Sequence, residues 1–441
     1  MFGSVSFTMI VGGVSGYAIF EHQVSLRNHQ REMAFHIAEA GIEYYRWHLA
    51  HSPTDYQDGT GQAGPYQHSF SDKDGNIVGY YSLDITTPLA GSTVATIRST
   101  GWTTVDPNTK RTIQVRTGSP ALTQYTFLTN SSTNFSFTTE VSGIVHSNGG
   151  IRFDGTSDSW VRSAKDRYQY ENQTHNGVWG GGGPKSFWEF PVPAIDFFSI
   201  SADLASIRDA ADAAGIHLTS SGVEGYHIVF LGDNFDLYHV TSRDCYYGEG
   251  RWRRKGWWLY WDGNTYCYDI KNETFIQNYE IPANGALFIE DDVWIEGVVD
   301  GRITIGVGEF PVQEPYHKAY INNNLTYNQL DDDDVVGILA QGDIIVPYEA
   351  PDTLTIHAAL LSQFKSSYHP KYYNGLKDTL NIVGSQISYQ GGGWKYVNGF
   401  GNVTAGYENT NHSYDGNLRY YPPPNFPVGD TYELISWEEI K

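Results

Sequence analysis

Residues 4–20, SVSFTMIVGGVSGYAIF, run for 17 positions without a charge, the lower limit for a helix crossing the hydrocarbon core of a bilayer. Gly12, Gly13 and Gly16 interrupt the run, which membrane helices tolerate. Further on, Met33, Ile37, Gly41, Tyr44 and His48 recur at three-to-four spacing, with no proline among them. The pattern predicts a single helix from residue 4 to residue 50, roughly 70 Å long at about 1.5 Å per residue. Its first third is apolar and its remainder amphipathic, and Ser52 and Pro53 end it.

After a loop at 52–64 the period changes to two. Alternation predicts strands at 66–71, 77–85, 93–105 and 112–117, with turn chemistry at Lys73-Asp74-Gly75-Asn76 and Asp106-Pro107-Asn108. From residue 141 the chain breaks into runs of four to six residues punctuated by Gly, Asn and Asp, such as ALFIEDDVWIEGVVDGRITIGVG and DVVGILAQGDIIVP. Such runs suit stacked parallel coils whose inward side chains fill a narrow core. Between 154 and 284 the pattern is interrupted by a Gly-rich stretch at 180–183, an amphipathic helix at about 201–214 and strands near 226–231 and 235–240. A segment that long needs structure of its own.

The resulting fold class is α+β, a long amino-terminal helix plus an antiparallel sheet followed by a mainly β, right-handed β-helix or solenoid-like ectodomain with an α/β insertion. The expected domains are the hydrophobic and amphipathic helix at 1–51, the antiparallel β domain at 52–120, the solenoid-like ectodomain at 121–153 and 285–441, and the insertion at 154–284.

Composition narrows the function classes. The 441 residues include 28 Lys plus Arg against 50 Asp plus Glu, a net charge of −22 that repels a phosphate backbone, so nucleic acid is discarded as a partner. Two Cys and three Met are a sparing use of oxidisable residues, compatible with life outside the cytoplasm. Forty-seven Gly and 15% aromatic residues agree with a turn-rich, strand-rich fold.

The hydrophobic start followed by AFHIAEAGIEYYRW, with Ala34, Ala38, Glu39, Ala40 and Gly41, resembles the amino-terminal region of PilX-type minor pilins and related type IV pilin-like surface proteins. The phrases HSNGGIRF and GILAQGDI resemble the β-helical ectodomain that accompanies such starts. The stretch departs from the type IV prepilin signature, which has a basic leader, a Gly-Phe junction and a glutamate five residues into the mature helix. The resemblance implies a structural or adhesive subunit of a cell-surface filament or its tip complex. Such a subunit is inserted in the membrane by its helix before assembly, with its ectodomain at the cell surface. Met33, Ala34, Ile37, Ala38, Ala40, Gly41 and Tyr44 are then the face that meets other pilin-like subunits, and truncating residues 1–50 is expected to release a soluble, folded remainder.

Cys245 and Cys267 flank a segment dense in rings and cations, and a disulfide is the favoured reading, with two free thiols as the alternative. Trp252, Trp257, Trp258, Tyr260 and Trp261 beside Arg251, Arg253 and Arg254 make this hairpin the candidate contact for a surface glycan, a surface polymer or another protein. The four aspartates 331–334 offer carboxylates to calcium or form a solvated acidic turn, the latter favoured because consecutive residues point apart. Asp72, Asp74, Gly75 and Asn76 fit a hairpin turn better than an EF-hand loop. His22, His29 and His36 lie too far apart along the helix to share a metal, and His48 with His51 is a weak pair. Gly59, Gly61 and Gly64 match a dinucleotide-binding spacing by letter, but they follow a helix and precede a strand, the reverse of that fold. No catalytic motif, cofactor or resident metal is expected. The enzyme alternative, an extracellular β-helical polysaccharide lyase or glycosidase, rests on Asp291, Asp292, Glu296, Asp300 and Arg302. A third reading is a singly anchored, carbohydrate-binding adhesin.

Overall fold

A computed structural model describes the chain except residues 1, 198–199, 256, 331–333, 399–400, 430 and 441, and the side chains of residues 2–9 and 200–203. The chain is mostly β, with one long amino-terminal helix, and divides into two compact units, residues 1–120 with 428–441, and residues 121–427.

In the first unit α1 (Phe2–His51) is continuous over 50 residues, as its spacing predicts. Four antiparallel strands follow in order, β1 (Tyr66–Ser71), β2 (Ile77–Thr86), β3 (Val94–Thr103) and β4 (Arg111–Gly118). The Asp72 carboxylate accepts from the amides of Asp74 and Asn76, 2.9 Å each, which closes the β1–β2 hairpin and accounts for the turn residues there. A fifth strand, Glu433–Ile440, comes from the other end of the sequence and pairs antiparallel with β4.

The sheet's buried face meets only the carboxyl half of α1. Ala34, Ile37, Ala38, Ile42, Tyr45 and Leu49 are buried with Tyr81 and Leu83 of β2, Ile97 of β3, and Ile113 and Val115 of β4. Glycines bring the two elements into close contact. A Cβ on Gly101 of β3 would lie 2.4 Å from the Ala34 carbonyl oxygen and the Ala38 nitrogen, and one on Gly41 would lie 2.3 Å from Ser99 Oγ. The Asp55 carboxylate tethers the loop that leaves the helix, accepting from the amides of Gln57 at 2.8 Å and Gly59 at 2.7 Å and meeting His48 Nε2 at 3.0 Å.

The second unit is organised by parallel pairing. Strand Ala286–Ile289 pairs with Arg302–Val307, which pairs in turn with Val335–Ala340, Thr353–Ser362 and Leu376–Ser388. The succession then returns to earlier sequence, with Tyr125–Thr129, Ile144–Ser147 and Val161–Ser163. The register places Leu287, Ile305, Ile338, Leu360, Gln386, Phe127, Val145 and Val161 in one file, every one of them buried. Gln386 is the polar member, and its Oε1 accepts from Trp394 Nε1 at 2.9 Å. Helix α2 (Ile200–Ala214) packs Leu204, Ile207 and Ala211 against Ala286, Phe288, Val335 and Leu339 of these strands. Strand Gly225–Gly232 joins a second parallel succession through Val293–Val299 and Ala319–Tyr327.

Candidate functional site

The segment flanking the cysteines is an antiparallel hairpin of two long strands, Asn234–Lys255 and Trp258–Glu280. Phe235, Leu237 and Val240 are buried at its root, where ionic and aromatic contacts reinforce them. Arg243 reaches Glu224 at 2.9 Å and Asp292 at 3.1 Å, and its guanidinium lies 4.7 Å from the ring centre of Trp294, which stacks on Tyr320. Asp269 accepts from the amides of Glu349 at 2.7 Å and Tyr348 at 3.3 Å. Burial outweighs those two hydrogen bonds and pushes its pKa up to about 6.

Above the root, Cys245 and Cys267 are joined by a disulfide with Cα atoms 3.9 Å apart. A cross-link closing a loop of this length stabilises by about 3 kcal/mol in the chain-entropy model. Next along, Gly250 pairs with Gly263, and a Cβ on Gly250 would sit 2.8 Å from the Trp261 ring, so the glycine pair makes room for that indole.

The register divides the tip residues between two faces. Trp252 is opposite Trp261 and Arg254 opposite Leu259, on one face. Arg251 opposite Asp262, Arg253 opposite Tyr260, and Lys255 opposite Trp258 occupy the other. On the first face the Trp252 and Trp261 rings meet edge to face at 5.5 Å, with Tyr247 5.0 Å and Tyr373 5.2 Å from Trp261. These rings mainly hold one another. On the second face Arg253 pairs with Asp262. Trp257 and Trp258, at 94% and 81% exposure, are the rings most open to solvent, with Trp252 and Tyr260 half-exposed. Tyr373 escaped the sequence reading because its segment approaches the hairpin only in three dimensions, through pairing of Gly248 with Tyr372 and donation from the Tyr373 amide to the Tyr247 carbonyl.

The residues read as an assembly face are largely engaged within the chain. Ala34, Ile37, Ala38 and Gly41 are buried against the sheet, and Met33, Ala40 and Tyr44 are partly buried, Tyr44 with its ring 4.7 Å from His68. The unoccupied part of α1 is residues 10–29, where Ile10, Val14, Tyr17, Ile19 and Phe20 are each at least 60% exposed. The run 4–20 read as a bilayer-length anchor begins among side chains outside the described set, and among the described residues no helix is long and apolar enough to cross a membrane.

The remaining candidates are held in structural contacts. Asp331, Asp332 and Asp333 lie outside the described residues, and Asp334 is buried, accepting from the amides of Gly301 at 2.7 Å and Gln329 at 2.8 Å. Of the carboxylates considered for glycan cleavage, Asp291 accepts from Ser221 N and Oγ, Asp292 from Arg243 and Tyr320, Glu296 from Asn322, and Asp300 from Asn328. Arg302 donates to the carbonyl of Pro422 at 2.5 Å. His51 Nδ1 lies 2.8 Å from the Trp47 carbonyl, and His36 lies 3.1 Å from Glu39. Among the described residues no group of three or more His, Cys, Asp and Glu is placed to hold a metal ion.

No protein-family model and no curated protein matches the chain. Among solved structures it is similar to the crystal structure of the competence-associated pilin ComZ from Thermus thermophilus, at 14% identity and a TM-score of 0.30, over 93% of this chain and 97% of that one.

Proposed function

We propose that this chain is a pilin-like structural subunit of a type IV pilus-like cell-surface filament or its tip complex, of the PilX-like kind, bearing an adhesive hairpin. The observation that carries the reading is the division of α1 into two halves. Its carboxyl half forms the core of its own antiparallel sheet, while residues 10–29 expose large apolar side chains that belong to no hydrophobic core among the described residues. A solvated helix with that surface is costly, and burial of each such side chain would return about 1.5–3 kcal/mol. The matching half of other pilin-like subunits is the occupant we propose, with insertion of the uncharged run in a membrane before assembly. The parallel succession of strands in residues 121–427 we read as a right-handed β-helix, because each strand pairs with one a turn of chain away instead of with its neighbour in a hairpin. The solvent-facing Trp257 and Trp258 favour adhesion to a surface glycan or protein as the task of the hairpin.

The test is the double variant V14D/I19D, which places charge on the exposed half and touches no part of the sheet core. It should leave the thermal unfolding midpoint unchanged and abolish incorporation into filaments alongside companion subunits. Incorporation at the wild-type level would refute the reading.

A further inference from the structure

A cleft of about 990 Å³ opens in the second unit, apart from the exposed end of the hairpin. Its volume is at the upper end of the range in which small-ligand sites occur. Its floor includes Lys395 and His412, and its walls carry Asn134, Tyr170, Tyr396 and Phe137, together with the hydroxyls of Ser131, Ser132 and Thr139. Phe137, at 61% exposure, stands at the rim.

Charge within the cleft is distributed unevenly. Of its three cations, Arg152 meets Asp154 at 2.8 Å and Lys371 meets Glu249 at 2.9 Å. Lys395 has no carboxylate at ion-pair distance among the described residues. Its ammonium donates to Thr138 Oγ1 at 2.6 Å and to the carbonyls of Thr138 and Glu408 at 3.3 Å. Burial lowers its pKa to about 8, the signature of a cation short of a counter-charge. His412 beneath it is fully enclosed, and burial, then Lys395, hold it neutral with a pKa of about 4; its Nδ1 has no hydrogen-bond partner. Of the cleft's carboxylates, Asp154 is taken by Arg152 and Glu171 is exposed at the wall, so at neutral pH the charge held in the floor is that of Lys395, on a chain of net charge −22.

We propose that this cleft binds an acidic oligosaccharide, with one sugar carboxylate seated on Lys395 and adjoining rings laid against Tyr170, Tyr396 and Phe137. Hydroxyl and amide walls donate and accept together, which matches vicinal sugar hydroxyls, and aromatic faces match the C–H faces of pyranose rings. One unpaired cation selects a ligand with a carboxylate at a defined place; a densely phosphorylated polymer would need several. The site is independent of the adhesive role given to the hairpin.

The experiment is titration calorimetry on the full chain with tetragalacturonate and, as the neutral tetramer, maltotetraose. Wild type should bind one tetragalacturonate at least tenfold more tightly than maltotetraose, and K395M should remove that preference. Raising the pH from 7 to 9 should weaken the acidic ligand about tenfold as Lys395 loses its proton. Should K395M fail to fold, N134D at the exposed wall should weaken the acidic ligand alone. W257A/W258A should bind tetragalacturonate as wild type does, so failure of the hairpin reading leaves this result untouched. Absence of tetragalacturonate binding at millimolar concentration, equal affinity for both tetramers, or an undiminished preference in K395M or N134D would overturn the proposal.

Discussion

Single residues decide how closely the helix approaches its sheet. Gly101 has nowhere to put a methyl group, because the backbone of α1 at Ala34 and Ala38 occupies that space. Gly101→Ala should cost about 1–3 kcal/mol through forced separation of helix and sheet, visible as a lower midpoint in denaturant at unchanged slope. His227 makes a second residue-level test. Burial opposes its charge, but a hydrogen bond from its ring to Glu273 at 2.7 Å and the nearness of Glu296 at 3.6 Å prevail and raise its pKa above the ordinary 6.5. Because the folded chain holds that proton more tightly than the unfolded one, the stabilisation is complete below pH 6.5 and is lost as pH rises through the higher folded value. The gap in thermal midpoint between wild type and His227→Gln should accordingly be wide at pH 5.5 and narrow at pH 8.5. A gap independent of pH would mean that the imidazole carries no charge there.

At the scale of elements, α1 is two structures in one helix. Deleting residues 1–28 should leave the first unit folded. Deleting 1–51 removes Ala34, Ile37, Ile42, Tyr45 and Leu49 from its core and should unfold it, read by loss of protected amides in β2 to β4. A truncation of residues 1–50 would thus strip the first unit of the buried half of its helix, residues 34–49. The helix itself was legible because apolar spacing and the absence of proline are local properties, and so were the strands β1 to β4. Other elements were not legible for physical reasons. The long hairpin strands are broken by register shifts near Leu237, Val240, Asp244 and Tyr247, which disrupt the two-residue period that betrays a strand. Strand Glu433–Ile440 is half-exposed along its length, and its partner is set by packing with residues three hundred positions earlier in the sequence. Within the hairpin, composition pointed to a cluster of rings, but which rings face solvent depends on the pairing of Trp252 with Trp261, which composition does not encode.

For the whole molecule, solvent-facing indoles and an unoccupied apolar helix face serve separate tasks in the proposed function, so they should be separable. W257A/W258A should abolish adhesion to the recognised surface while filament incorporation and the thermal midpoint stay at wild-type values, checked by cell-binding assay and electron microscopy. Loss of both properties together would mean that the hairpin helps build the filament.

The strand Glu433–Ile440 has a bearing on biosynthesis. The sheet whose first four strands leave the ribosome early keeps the outer edge of β4 unpaired until the distant residues Glu433–Ile440 have been made. A chain halted or clipped before Glu433 would carry a ready docking rail for stray polypeptides, and a chaperone or protease surveying that rail would be inspecting whether this one distant strand had been made and docked.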